Sequence, residues 1–345
     1  MKKTFSFLAA AAIAFAACSK TETGPCTTDQ ENSNAELVPV SVQFAGAVTK
    51  AGESDPEKTI NSLQVILYRV NGETKTMESY YSFDPAAMKG TIYIDPSKEA
   101  EKYLIAAYAN QETLTQAKYA EDWSLFSEEK SGDFQMYGEW FKAKSELGDE
   151  VIIDLARQCS KVTVRKVSLD WTNSANNYKT FKLKSMYLMD AEGVFANVHS
   201  LTSAVLSANP WLNKNGVITD MNDSFLYKAI NSVEVKESTP YTTANIFYGY
   251  ISDLDKYNTT ATWAESGTRL VIEAEFDGAA TYYAVPVNKD NMKKLRNKHF
   301  IFDNITITKP GAKSPYLALA EENDVVVTVK VADWSEVNHG TVTIR

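Results

Sequence analysis

Leu37-Val38-Pro39-Val40-Ser41-Val42-Gln43-Phe44 reads as a β-strand. Val38, Val40, Val42 and Phe44 recur at every second position, and a strand turns alternate residues to one face. Pro39 has no backbone N–H to give to a ladder, so it is tolerable only at an edge or at the start of a strand. Outward from this stretch, strand-like runs recur at 63–70, 91–94, 103–109, 151–155 and 162–169. The second half continues with 181–188, 270–276, 282–287, 300–308, 325–331 and 341–344. Asn71-Gly72 and Asn215-Gly216 punctuate the runs as turn signals. Helical candidates are 200–206 and 289–297, the latter with Asp290 as N-cap before Met292 and Leu295. Many strands with occasional short helices predict an all-β chain of sandwiches. No internal repeat of solenoid or propeller length stands out.

The chain of 345 residues, 44% apolar, has room for two domains that each bury a core. One strand ends and another begins near Asp154-Leu155-Ala156-Arg157, so the expected division is 37–157 and 158–345. Eighteen Tyr and fifteen Phe, with frequent Thr and Val, suit pleated, half-buried surfaces. Against 35 Lys and Arg stand 44 Asp and Glu, and the net charge of -9 repels a phosphate backbone, which excludes nucleic acid as a partner.

Lys2 and Lys3 precede an apolar run at 5–17 that is too short to span a bilayer, and residues 1–17 read as a signal peptide. The run closes in Phe15-Ala16-Ala17-Cys18, which resembles a lipobox, where small residues admit the peptidase before a diacylated Cys. Cys18 is read as the lipidated mature N-terminus; an ordinary signal peptide with an incidental Cys is the alternative. Residues 18–36 are a polar tether without apolar periodicity. An oxidising compartment would permit a disulfide between Cys26 and Cys159, but the spacing does not demand one, and Cys159 reads as a small buried residue.

Residues that carry chemistry are sparse. His199, His299 and His339 have no neighbour at a metal-ligand spacing and read as surface or boundary residues. There is no nucleophile elbow, phosphate-cradling loop or dinucleotide fingerprint. Glu121-Asp122 and Glu321-Glu322 are adjacent pairs that a strand would turn to opposite faces. No cofactor, metal or catalytic centre is expected, and the chain reads as a non-enzyme; a carboxylate pair assembled by the fold is the remaining enzymatic alternative. Trp123, Trp140, Trp171, Trp211 and Trp263 stand among polar neighbours, either as core side chains or as a sugar-binding surface.

Several separated pieces resemble the fimbrillins, the FimA-type lipoproteins that build type V fimbriae on certain Gram-negative anaerobes. They are the lipobox at Cys18, Phe134-Gln135-Met136-Tyr137-Gly138-Glu139, and Leu155-Ala156-Arg157-Gln158-Cys159-Ser160-Lys161-Val162-Thr163-Val164. Leu295-Arg296-Asn297-Lys298-His299-Phe300 follows, running into Asn304-Ile305-Thr306-Ile307 and Lys309-Pro310-Gly311, and then 325–331 with Asp333-Trp334. They span nearly the whole body, and the specificity lies in their order and spacing. The resemblance implies two transthyretin-like β-sandwich domains, delivery as a lipoprotein to the outer membrane, and removal of the N-terminal segment by a trypsin-like protease. The matching bond is Lys50–Ala51, where the family more often carries Arg, with a cut after Lys58 as the alternative.

Loss of the first strand would leave unpaired backbone groups and the empty slots of Val38, Val40, Val42 and Phe44, an acceptor groove. Four such side chains at about 1.5 to 3 kcal/mol each amount to about 6 to 12 kcal/mol before ordering entropy. Val325, Val327, Val329 and Val331 alternate with Val326, Thr328, Lys330 and Ala332, and Val342 and Ile344 lie in a second alternating stretch. Either could complete a neighbour's groove by strand addition, and either could finish its own domain. The expected function is a structural subunit of a cell-surface fimbrium, with a stalk role preferred and a tip adhesin or lipid-retaining anchor left open. Expected partners are identical or related subunits, the outer membrane through lipid before maturation, and host or bacterial surface glycans or proteins. The alternative is a monomeric outer-membrane lipoprotein that keeps its first strand and binds glycans through exposed Trp and Tyr.

Overall fold

The computed structural model describes residues 36–46, 57, 59–111, 125–127, 134–171, 180–192, 194–196, 211–213, 216–218, 220–222, 225–251, 267–288, 295–320, 330–333 and 341–344. Over these residues the chain is all-β, interrupted by a one-turn 3-10 helix at Lys144–Glu146 and a short α-helix, α1 (Pro315–Ala320).

The first part of the chain contributes β1 (Val38–Gly46), β2 (Leu63–Asn71), β3 (Thr74–Phe83), β4 (Lys89–Ile94), β5 (Lys102–Ala109), β6 (Leu125–Ser127), β7 (Met136–Ala143) and β8 (Glu150–Arg157). Seven of these form one sheet in the order β3-β2-β5-β7-β8-β1-β4. It folds over on itself at β7 and β8, whose pairing consists of Met136 with Arg157 and Tyr137 with Ala156. Gly138 permits the fold: a Cβ there would lie 2.3 Å from the Asp154 carbonyl oxygen and 2.7 Å from Ile153 Cγ2. The two flanks enclose a core in which Val40, Val42, Ile92 and Ile153 meet Val65, Leu67, Ile105 and Tyr103. The β2–β3 hairpin turns at Gly72, whose φ of +57° suits a residue without a Cβ.

The rest of the chain contributes β9 (Ser160–Val164), β10 (Val167–Leu169), β11 (Phe181–Met189), β12 (Ala191–Glu192), β13 (Val194–Ala196), β14 (Trp211–Leu212), β15 (Tyr227–Glu234) and β16 (Asn245–Gly249). It closes with β17 (Arg269–Phe276), β18 (Ala279–Pro286), β19 (Lys298–Phe302), β20 (Asn304–Ile307), β21 (Lys330–Asp333) and β22 (Thr341–Ile344). A sheet ordered β15-β11-β17-β18 faces two others, β16-β9-β19-β21 and β10-β20-β22. Their core holds Phe181, Leu183, Ile272 and Val285 on one side and Phe247, Phe300, Phe302 and Ile305 on the other. Short pairs join β12 to β14 and β6 to β13.

Two expected strands are each divided. The run 162–169 breaks into β9 and β10 and the run 300–308 into β19 and β20, so that both leave one sheet for the next. They turn side by side: the Arg165 N–H donates to the Phe302 carbonyl at 2.9 Å and Ile305 N–H to the Lys166 carbonyl at 2.9 Å. The Arg165 guanidinium meets the Asp303 carboxylate at 2.6 Å across the bend. In both runs the alternation changes phase at the corner, from Val162 and Val164 to Val167 and Leu169 and from Phe300 and Phe302 to Ile305 and Ile307, with charged residues at the break.

Both faces of β2 are buried because the second half of the chain covers its outer side. Val65 and Leu67 point into the first core, while Ile66 and Tyr68 join Ala106, Tyr108, Phe134, Cys159 and Tyr250 in a seam cluster. A sheet with one wet face would instead show clean alternation. The unexpected α1 covers the outer face of the β11–β17–β18 sheet, where Ala318 packs with Tyr187, Val271 and Ala284. Ser314 caps it, its Oγ accepting from Leu317 N–H at 3.2 Å, before a proline in the first helical position. The expected helix at 200–206 lies outside the described residues, as do positions 289–294 of the other.

Gly138→Ala is expected to destabilise the chain by roughly 1 to 3 kcal/mol, because the contact is with backbone and cannot swing away; urea unfolding should show a lower midpoint with an unchanged slope.

Candidate functional site

Strand β1 is an interior strand. It pairs antiparallel with β4, Val40 opposite Ile92 and Val42 opposite Gly90, and parallel with β8, Val42 opposite Val151 and Phe44 opposite Ile153. Ser41 N–H donates to the Asp149 carbonyl at 2.8 Å, and Phe44 N–H to the Met88 carbonyl at 3.1 Å. Val40, Val42 and Phe44 are buried, at 1%, 0% and 8% exposure. The Phe44 ring lies 6.0 Å from Phe83. Gly90 makes room for Phe83, since a Cβ would sit 2.6 Å from that ring. On the other face the Gln43 amide donates to the Glu150 carboxylate.

Val38 departs from the expectation that four side chains fill the slot: it is 42% exposed. Pairing with β8 begins only at Ser41, so Val38 and Pro39 extend past the doubly flanked part of the strand, with β4 alone beside them. This also explains how Pro39 is accommodated within a central strand.

Other expected site residues fall elsewhere. Cys18, Lys50, Ala51, Val325, Val327 and Val329 lie outside the described residues. Val331 belongs to β21, which pairs with β19 at the end of its sheet, Val331 opposite Phe300. Val342 and Ile344 belong to β22, which runs parallel to β20 at the end of another. The described parts of both C-terminal stretches therefore pair with their own chain.

The seam contains an ionic group that sequence reading passed over. Glu57 follows β1 in a run that looks like solvated loop, yet its carboxylate accepts from Lys161 Nζ at 2.5 Å and from the Tyr248 hydroxyl at 2.6 Å. Its carbonyl accepts from Arg157 Nε at 2.5 Å. Arg157, 2% exposed, also reaches Asn297 Oδ1 at 3.3 Å. These partners are separated by 100 or more residues in sequence, so no local pattern betrays them. Around them the Phe134 and Tyr248 rings approach to 4.7 Å, and Tyr108 and Tyr137 meet edge to face at 5.0 Å. Burial holds the Tyr137 phenol far above the ordinary tyrosine range, with the Glu139 carboxylate adding to the effect, so Tyr137 stays neutral and donates to Glu139.

His299, expected at a surface or boundary, is buried in β19 at 6% exposure with its Nε2 2.9 Å from Thr163 Oγ1. The correction has a tertiary cause: Lys298 and His299 start a strand that is flanked on both sides by β9 and β21. Burial, with Lys161 nearby, pulls the imidazole down to about 4. Among the described residues no group of three His, Cys, Asp or Glu could hold a metal ion. Trp140 packs partly buried against the first core and Trp171 against the second, the latter edge to face with Phe276 at 5.2 Å. Trp123, Trp263 and the carboxylate pairs Glu121-Asp122 and Glu321-Glu322 lie outside the described residues, and Trp211 is placed in β14.

Neither a protein-family model nor a curated protein sequence matches the chain. Solved structures do. A candidate cell adhesion protein from Bacteroides eggerthii aligns with a TM-score of 0.54 at 16% identity, covering 91% of this chain and 99% of its own. A second, from Parabacteroides distasonis, aligns at 0.52 and 12% identity over 88% and 98%. A fimbrilin, FimA, from Porphyromonas gingivalis aligns at 0.50 and 16% identity over 81% and 92%. The chain has the fold of these proteins along nearly its whole length.

In the full chain Val42→Ala should cost roughly 1 to 3 kcal/mol while Val38→Ala stays within about 0.5 kcal/mol, measured by urea unfolding. The lowered pKa of His299 means that the unfolded chain binds more protons between about 4 and 6.5, so its contribution is complete above 6.5 and is lost as pH falls through that window. His299→Gln should accordingly lose less stability than the parent chain between pH 7 and pH 5, as read from urea midpoints.

Proposed function

We propose that this chain is a structural subunit of a cell-surface fimbrium, exported through the periplasm as a lipoprotein acylated at Cys18 and held first at the outer membrane. Cleavage between Lys50 and Ala51 then releases β1, and identical or related subunits join by strand exchange. The observation that carries this reading is the position of β1, an interior strand with three buried side chains, flanked on both sides and followed in sequence by Lys50. The shared fold with a fimbrilin supports the same reading. The division into domains is taken between Arg157 and Ser160, where the chain passes from the first sheet to the second set.

Departure of β1 exposes two facing rows of backbone donors and acceptors, on β4 and on β8, together with the apolar sites of Val40, Val42 and Phe44. An incoming strand must run parallel to β8 and antiparallel to β4, and must offer apolar side chains at three alternate positions. The 325–331 segment offers four, Val325, Val327, Val329 and Val331, whereas 341–344 offers two, Val342 and Ile344. The first is therefore the better-matched donor. Three buried side chains provide about 5 to 9 kcal/mol gross, before the cost of ordering the donor. The donor and the groove are different surfaces, so the contact is heterologous and repeats into a filament, which favours a stalk role.

Limited trypsin digestion of the unlipidated protein, with mass spectrometry of the new N-terminus and size analysis over several days, tests the proposal. The expected result is a body beginning at Ala51 that forms ladders, with Lys50→Ala blocking both steps. A cleaved body that stays monomeric, or ladders from the Lys50→Ala chain, would overturn it.

A further inference from the structure

Two basic residues, Lys50 and Lys58, lie between β1 and β2, and on sequence alone either could carry the maturation cut. The residues around the second are bound to the folded body on both sides of it. On the N-terminal side Glu57 is held by three groups from beyond the first sheet's last strand or at its end: Lys161 and Tyr248 on its carboxylate and Arg157 on its carbonyl. On the C-terminal side the Thr59 carbonyl accepts from Asn110 Nδ2 at 2.7 Å, and Asn61 N–H donates to Asn110 Oδ1 at 2.7 Å. Between these two, Ile60 is fully buried in the first core. Asn110 itself sits in the left-handed region, φ +57°, and its amide also reaches the Phe134 carbonyl at 3.1 Å.

A protease takes several residues on either side of the scissile bond into an extended conformation. To present Lys58–Thr59 the chain would have to free Glu57 from Lys161, Tyr248 and Arg157, break both Asn110 bonds and withdraw Ile60 from the core. Cleavage of such a site follows the population of the opened form. We infer that Glu57, Thr59, Ile60 and Asn61 form a processing stop: they fix the N-terminal boundary of the matured body, keep the Lys58–Thr59 bond intact and leave Lys50 as the basic residue available for the cut. The retained Glu57 then goes on joining β8, β9 and β16 after β1 has gone. This inference rests on the maturation reading above, but it is decided at a different bond.

The test uses the full chain carrying Lys50→Gln, so that Lys58 is the basic residue left between β1 and β2, digested with trypsin while mass spectrometry follows the peptide beginning at Thr59. The expected result is a chain cut after Lys58 at least about tenfold more slowly than its Lys50→Gln/Glu57→Gln counterpart, with near-UV circular dichroism unchanged between them. If Glu57→Gln loses that spectrum, Tyr248→Phe, which removes a single hydrogen bond, takes its place with the same expectation of faster cutting. Rapid release of a Thr59 body from the Lys50→Gln chain would overturn the inference, as would equal resistance in the paired variants, which would locate the protection elsewhere. The fimbrial proposal is judged separately, on Lys50 cleavage and ladder formation by the parent chain.

Discussion

Strand β1 lies between β4 and β8, and the first core depends on that double pairing. Its Val40, Val42 and Phe44 supply the middle of one wall, and its backbone joins β8 to β4, which among the described residues has no other ladder. An end strand contributes one ladder and can fray; an interior strand contributes two and cannot leave without exposing both neighbours. Under the proposed maturation, the energy for exchanging this strand would be built into the monomer. The same apolar sites and the same unpaired backbone that make its loss costly would, in the proposed assembly, make its replacement favourable.

The corner at Gly138 is the condition for this arrangement. By letting β7 pass close to the Asp154 carbonyl, it allows one seven-stranded sheet to close over its own core. The outer face of β2 and β5 is then left apolar and is covered by the second half, with Ile66, Tyr68, Ala106 and Tyr108 on one side of the seam and Tyr250 on the other. Polar groups in such a seam must be paired, because an uncompensated charge in low dielectric is expensive. Glu57, Lys161, Arg157 and Tyr248 meet this demand together, and their geometry sets one relative position that apolar contact alone would define less sharply.

Concerted bending organises the second half. Parallel neighbours β9 and β19 pass together into β10 and β20, with Arg165 and Asp303 facing each other at the turn. Each resulting sheet ends in a strand from the C-terminal part of the chain, β21 in one and β22 in the other. End strands have one ladder to break, and β21 and β22 share that position with β10, β15, β16 and β18.

Period-2 alternation made β1, β8, β11 and β17 legible, since a strand with a buried face must repeat its apolar residues at every second position whatever lies across from it, while β2 and β5, buried on both faces, showed as near-continuous apolar runs. Asn71-Gly72 likewise announced a hairpin through local backbone geometry. β15 was not legible because most of its residues are intermediate or exposed, which leaves little apolar signal. The divided runs at 162–169 and 300–308 were read as single strands, although the apolar positions pass from even to odd numbers at Arg165-Lys166 and at Asp303-Asn304, where the chain turns the corner. Val38 carried the same local pattern as Val40 and differs only in what flanks it. Sequence by itself thus determined the all-β class, the alternating faces and the basic residue after the first strand, because these follow from spacing along one chain. Tertiary structure alone decided that β1 is interior, that His299 is buried and that Glu57 spans the seam, because each depends on partners brought together from remote parts of the sequence.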